Sequence, residues 1–192
     1  MIAYIEGKVS ELSPTHVILD CNGLGYDVNI TLHTYSAIQN KERCKLHTYL
    51  SIKEDSHTLY GFWELREKTI FTQLISVSGV GTSTGRMILS SLTANEIRDA
   101  IISENVSLIQ SIKGIGPKSA KRLILELKDK MIKSGDEGQT THATGSREEA
   151  ISALLMLGFN KGAIDKALAS VIKDEGSDLA VEDMIKFALK NL

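Results

Sequence analysis

Two short glycine motifs carry the strongest chemical signal in the sequence. Val77-Ser-Gly-Val-Gly-Thr-Ser and Ile112-Lys-Gly-Ile-Gly-Pro-Lys align at an offset of 35 residues, pairing Gly79 with Gly114, Gly81 with Gly116, and Arg86 with Lys121. In each copy an apolar helical segment precedes the GxG and another follows, so the pattern is helix, tight turn, helix. Glycine supplies the positive φ that such a turn needs and admits a second backbone at close range. The apolar residue between the glycines, Val80 or Ile115, can tuck into a core and hold the turn. Pro117 falls where the first position of the new helix should be. Free N–H groups at that helix start suit a phosphate oxygen, strengthened by the helix dipole and by Lys118 and Lys121 in the second copy. Contacts of this kind carry no base sequence, so they imply binding to nucleic-acid shape. GxxxxGK[ST] is absent from the sequence, and nucleotide hydrolysis has no support.

Three stretches of different periodicity must position these turns. From Met1 to about Trp63 the pattern is that of strands. Cys44, Leu46, Thr48, Leu50 and Ile52 alternate with Lys45, His47, Tyr49, Ser51 and Lys53, which predicts one buried face. Earlier β-rich runs lie around Ile5 to Leu12, His16 to Cys21 and Tyr26 to Leu32, with CNGLG as a turn and a short helix near Thr34 to Gln39. Five short strands with one interposed helix fit a small Greek-key barrel of the OB type. From Glu64 the period is helical. Phe71, Leu74 and Ile75 share one face; Ala120, Leu123, Ile124, Leu127 and Met131 form a longer stripe; Thr93 with Glu96 predicts a capping box ahead of Ile97 and Ile101. After Lys133, SGDEGQTTHATGS offers almost nothing to bury and reads as a linker. Ser146 with Glu149 predicts a second capping box, opening three short helices whose apolar residues include Ile151, Leu154, Leu155, Ile164, Leu168, Val171, Met184, Ile185 and Leu189. The expected fold is therefore α+β and multidomain. It comprises an OB-type barrel over 1–63, a tandem helix-hairpin-helix domain over 64–133, a linker over 134–146 and a three-helix (UBA-like) domain over 147–192.

Composition narrows the function classes. Of 192 residues, 42% are hydrophobic and 24% charged, with 2 Pro and 5% aromatics, which excludes a collagen-like or disordered chain. No run approaches the roughly 18 apolar residues of a membrane span, and MIAYIEGKVS lacks the form of a secretory signal, so a cytoplasmic location is expected. Cys21 and Cys44, like the five histidines His16, His33, His47, His57 and His142, lack metal-ligand spacing, so no metal or cofactor is expected. The overall charge of −2 conceals an asymmetry: residues 1–63 carry −2, residues 64–133 carry +4 and residues 134–192 carry −4. Seven basic residues lie between Lys113 and Lys133 against Glu126 and Asp129. A charge run is ordinarily a solvated helix face; here it coincides with the repeated turn.

Taken together, the OB-like start, the two hairpin motifs and the small helical end resemble the RuvA family of bacterial Holliday-junction-binding proteins over essentially the whole chain. Lys53-Glu54-Asp55 followed by Leu59-Tyr60-Gly61-Phe62 resembles that family's acidic hairpin and the end of its first domain. The resemblance implies a non-catalytic homotetramer, or a double tetramer, that holds a four-way DNA junction open in recombination and repair. It implies recruitment of the hexameric RuvB ATPase for branch migration, and contact with the RuvC resolvase. DNA contacts then fall to Gly79, Val80, Gly81, Ser83, Arg86, Gly114, Ile115, Gly116, Lys118 and Lys121, with Glu54 and Asp55 as an acidic pin and Leu157 and Phe159 on the motor-binding surface. Without the resemblance, Glu54 and Asp55 would be two solvated charges, and Trp63 is read as a packing residue at a domain boundary. One departure is visible: the family often has Pro-Lys after the first glycine turn, where this chain has Thr82-Ser83. The first hairpin keeps its backbone donors and loses a local cation, for which Arg86 is the candidate replacement.

Two other readings fit parts of the pattern. A base-excision glycosylase would need a lysine and an aspartate at one base, but Lys118 and Asp129 fall on one helix about 17 Å apart along its axis. No second helical lobe is available to form a base pocket. A single-strand binder would need stacking aromatics on the barrel, where Tyr4, Tyr26 and Tyr49 are few for the purpose.

Overall fold

The computed structural model describes residues 2–135, 142–176 and 179–192. Strands β1 (Tyr4–Leu12), β2 (His16–Cys21), β3 (Leu24–Ile30), β4 (Arg43–Ile52) and β5 (His57–Phe62) close into a barrel in the order β1-β2-β3-β5-β4. Helix α1 (Leu32–Ile38) links β3 to β4. Only the β3–β5 seam is parallel. At the CNGLG turn Asn22 and Gly23 have φ of 58° and 89°, the double positive φ that a two-residue hairpin of primed type requires. The barrel encloses Ile5, Val17, Leu19, Val28, Ile30, Ile38, Cys44 and Leu46. Burial pushes the Cys44 thiol up to about 11, as expected of a packed side chain with no reactive role.

The alternation expected along β4 holds for Cys44, Leu46 and Thr48, which are buried, and fails at Leu50 and Ile52. Ile52 is 66% exposed. Beyond His47, where the pairing with β1 ends, β4 runs on with β5 down to Ile52 and His57 as a two-stranded ribbon.

Five helices follow β5: α2 (Leu65–Ile75), α3 (Thr82–Ser91), α4 (Ala94–Ile102), α5 (Val106–Gln110) and α6 (Pro117–Gly135). The capping box at α4 forms as expected, with Thr93 and Glu96 satisfying each other's backbone donors. The predicted stripe of Ala120, Leu123, Ile124, Leu127 and Met131 is buried along α6. Tyr60 and Phe62 from β5 enter this helical core, and Phe71 of α2 gathers Tyr49, Tyr60 and Phe62 at ring-centroid distances of 5.5, 5.3 and 4.8 Å. Edge and tilted ring contacts of this kind add to the large area such side chains bury. Barrel and helices accordingly group into one compact unit, residues 1–134.

A buried polar network also lies between α1 and α2. The Thr31 and Thr34 hydroxyls donate to the two carboxylate oxygens of Glu67, the second at 2.8 Å, and the Trp63 N–H donates to Thr34 Oγ1 at 3.0 Å. Burial raises the Glu67 pKa, against the opposing pull of the two hydroxyls and of His33. Relative to the unfolded chain, the folded state therefore favours the protonated acid. Its stabilising contribution is full below the unfolded pKa of about 4.3 and is lost as pH rises through the folded value. Glu67→Gln should gain stability relative to the parent as pH is raised over that window, read from urea midpoints of the two proteins at each pH. A difference that is flat with pH would show that Glu67 ionises in the folded protein as it does in the unfolded chain.

The second unit, residues 135–192, contains α7 (His142–Met156), α8 (Lys161–Glu175) and α9 (Val181–Ala188), three helices as the periodicity predicts. Ala150, Leu154, Ile164, Leu168, Val171 and Met184 form its core. Two expectations need correction. Helix occupies 142–146, which the sequence assigns to the linker, and Ser146 lies one turn inside α7 instead of capping it with Glu149. A cap contributes only about 1 kcal/mol, and another turn of helix outweighs it when the preceding residues tolerate helix. The remainder of the expected linker, residues 136–141, lies outside the described residues.

Candidate nucleic-acid interface

The two glycine turns have the same internal bonding. In the first, the Val80 N–H donates to the Val77 carbonyl at 3.0 Å and the Gly85 N–H to the Gly81 carbonyl at 2.9 Å. In the second, Ile115 donates to Ile112 at 3.1 Å and Ala120 to Gly116 at 3.0 Å. Gly79 and Gly114 both have φ of 90°, so a side chain at either would be strained. Val80 and Ile115, each 6% exposed, anchor the turns in the core and can offer a ligand only their backbone. Gly81 is different, because its φ of −83° suits any residue. A Cβ added at Gly79, Gly81, Gly114 or Gly116 would meet nothing within 4 Å. No internal contact requires glycine at position 81, whereas close approach by an outside molecule would. Helices α3 and α6 begin at Thr82 and Pro117 as the motif predicts, and the N–H groups of their first turns, of which Pro117 has none, lack an intrahelical acceptor.

Charge is distributed unequally between the copies. Ser83, Lys118 and Lys121 are exposed, and neither lysine is engaged by another described residue. Arg122 is tied to Glu126 at 2.6 Å, and Lys128 pairs with Glu104. Arg86, matched to Lys121 by the repeat, faces the barrel: its Nη1 donates to the Thr15 carbonyl at 3.0 Å and to Asn29 Oδ1 at 2.8 Å. Nothing in the sequence signalled that contact, since its partners lie 71 and 57 residues away.

Glu54 and Asp55 stand at the tip of the β4–β5 ribbon. Lys53 and Ser56 close it with backbone bonds of 2.8 and 3.4 Å, and both acids are exposed. A two-residue loop on paired strands holds these charges out from the barrel.

In the second unit the two residues expected to share an exposed patch part company. Leu157 is 61% exposed, while Phe159 packs against the core. The cause is the end of α7, where Gly158 has φ of 96°, the Phe159 N–H donates to the Leu154 carbonyl and the Gly158 N–H to that of Leu155. That closure folds the residue after the glycine back onto the helix. Leu155 and Met156, 45% and 87% exposed, join Leu157 instead, and sequence periodicity gave no reason to single out Met156.

The barrel tyrosines do not form a stacking surface. Tyr49 packs on Phe71, Tyr26 packs against the barrel core, and the exposed Tyr4 ring is covered by Lys45 Nζ at 4.1 Å. Trp63 is half-buried against the barrel with Lys41 Nζ 4.8 Å from its ring centroid, as a packing residue would be. Lys118 and Asp129 both lie on α6, as the glycosylase argument anticipated.

A closed five-stranded barrel joined to two in-register hairpins, with the turns open to an outside backbone, defines a tandem helix-hairpin-helix protein. The comparisons with known proteins agree in all three parts. Residues 1–61 match the RuvA N terminal domain, residues 71–129 the SAM-like helix-hairpin-helix tandem, and residues 145–192 the RuvA C-terminal domain. Relatives named Holliday junction branch migration complex subunit RuvA include those of Christiangramia forsetii and Flavobacterium psychrophilum, each 50% identical over 194 residues, and of Bacteroides fragilis, 49% identical over 203 residues. In each case the match covers 100% of both chains. The chain belongs to the RuvA family.

Proposed function

We propose that this chain is the non-catalytic DNA-binding subunit of a branch migration complex, selecting four-way junctions by shape and recruiting an ATP-hydrolysing motor. The observation that carries this is the pair of turns with one bonding pattern, each with a second glycine, Gly81 or Gly116, that nothing inside the molecule requires to be small. Family membership supplies the junction, as the relatives' name states it. On this reading Gly79, Val80, Gly81 and Ser83 of the first hairpin and Gly114, Ile115 and Gly116 of the second present backbone donors to phosphates, while Lys118 and Lys121 supply charge. Glu54 and Asp55 form a pin that repels phosphates at the junction centre. Four copies around a fourfold axis would convert a few contacts per protomer into useful affinity, and two such tetramers could enclose the DNA. The second unit, through Leu157 with its exposed neighbours Leu155 and Met156 and with Phe159 shaping the turn beneath them, would hold the RuvB motor. RuvC would act on the same junction in the cytoplasm. On this reading the DNA-binding roles fall to the unit ending at Ser134 and motor binding to the unit that follows it.

Gel shifts with a four-way junction, a linear duplex of equal length and a single strand at fixed salt test the proposal. Junction binding should be strongest, independent of sequence and weakened by salt. Equal binding of junction and duplex across salt concentrations would overturn it. In the same assay Glu54→Gln with Asp55→Asn should fold normally and tighten duplex binding about fivefold by removing like charge from the pin, so that junction selectivity falls. Duplex binding unchanged from the parent would reduce the pin to a solvated turn.

A further inference from the structure

Helix α3 meets the barrel along a single stripe. Thr82, Arg86 and Ser90 stand four residues apart, one above another on the helix surface. Each bonds a different part of the barrel. Thr82 Oγ1 accepts from the Tyr60 hydroxyl of β5 at 2.9 Å. Arg86 Nη1 donates to the Thr15 carbonyl, between β1 and β2, and to Asn29 Oδ1 of β3. Ser90 Oγ accepts from the Leu32 N–H at the start of α1 at 3.2 Å. All three side chains are half-buried. The offset of 35 maps them onto Pro117, Lys121 and Leu125 of α6, and all three of those are exposed, Leu125 to 81%.

We infer that the Thr82, Arg86 and Ser90 stripe is a docking seam that sets the orientation of the first glycine turn relative to the barrel, and that Arg86 is a positioning residue and not a phosphate ligand. The inference rests on the junction-binding reading and assigns the two hairpins different tasks within it. The first is fixed to the barrel, and therefore to the acidic pin the barrel carries; the second keeps the equivalent stripe free and presents Lys121 to the DNA. Pro117, which takes the place of Thr82 in the second copy, has no side-chain oxygen to accept a hydrogen bond such as the one from Tyr60. Both Arg86 contacts are made by Nη1, so the side chain cannot swing away toward a phosphate without breaking them.

Junction and duplex binding by the full-length protein should be measured across a salt series for Arg86→Met, Asn29→Ala and Ser90→Ala, with Lys121→Ala as the phosphate-contact comparison. Asn29 and Ser90 carry no charge and have no part in the proposed phosphate contacts. The seam predicts that Asn29→Ala lowers the junction-to-duplex affinity ratio about tenfold, the value of one charge-assisted hydrogen bond, and that Arg86→Met, which also loses the Thr15 contact, lowers it at least as much. Their double variant should be little worse than Arg86→Met alone, because that variant has already lost the bond to Asn29. The slope of log affinity against log salt should stay at the parent value in all of them. Lys121→Ala should instead lower that slope by about 0.9 for every phosphate it leaves without a cation. A reduced slope in Arg86→Met, or an unchanged ratio in Asn29→Ala and Ser90→Ala, would overturn the seam while leaving junction binding in place. Should Arg86→Met fail to fold, the two uncharged variants decide the question by the same ratio. Failure of the underlying reading would look different: the parent itself would not prefer the junction, and Lys121→Ala would leave the slope unmoved.

Discussion

A chain ending at Ser134 is expected to bind four-way junctions as the full protein does and to lose ATP-driven branch migration entirely when the cognate motor is added. Each unit has its own core. The helical cluster around Phe71 and the barrel cluster around Leu19 and Leu46 lie wholly before residue 134, and the cluster around Leu154 and Leu168 wholly after it. Removing residues 135–192 therefore strips no apolar surface from the cores that hold the glycine turns. It does remove ten acidic and six basic side chains, with Leu155, Met156 and Leu157, the exposed apolar patch that best fits a protein partner. Junction gel shift and motor-driven strand separation, measured on the same truncated preparation, check the two halves of the expectation. Full branch migration would refute motor binding by the second unit; absence of junction binding would make that unit part of the DNA interface.

The other large effect is expected from Lys118→Ala combined with Lys121→Ala. Both ammonium groups are exposed at the start of α6, unengaged by other described residues, beside the amides of the second turn. In a tetramer they would supply about eight phosphate contacts, and at about 0.5 kcal/mol for each the loss approaches 4 kcal/mol, roughly a thousandfold in affinity. The salt slope should flatten along with it. All junction sequences should suffer alike, because neither residue would read a base edge. A defect confined to one junction sequence, or an unchanged slope, would remove the lysines from the phosphate contacts.

Much of this architecture was legible in the sequence where the signal is local. The repeat announced both turns, Asn22-Gly23 marked a hairpin, and Thr93 with Glu96 capped α4 as written. Local signals also misled. Leu50 and Ile52 continued the strand alternation although the strand had already left the barrel, and alternation reports a strand's two faces without saying whether anything covers one of them. Ser146 and Glu149 had the spacing of a cap and stand inside a helix. The contacts that join barrel to hairpin escaped notice altogether. Tyr60 and Thr82 are 22 positions apart, and Arg86 lies 71 from Thr15, so no periodicity connects them. Their types are ordinary surface types until the fold brings them together. For the same reason Arg86 reads from sequence as a spare cation near a phosphate site, and only its geometry shows it turned to the barrel.

The aromatic cluster at Phe71 bears on how this chain could be dissected. Tyr60 and Phe62 belong by sequence to the last barrel strand and by packing to the helices, so the barrel has no clean outer surface where the helices begin. Cutting after Trp63 would yield a fragment with two large rings and a seam of stranded polar groups open to water, prone to self-association. The excisable piece is the pair, barrel with hairpins, and shuffling by gene fusion would have to move it whole.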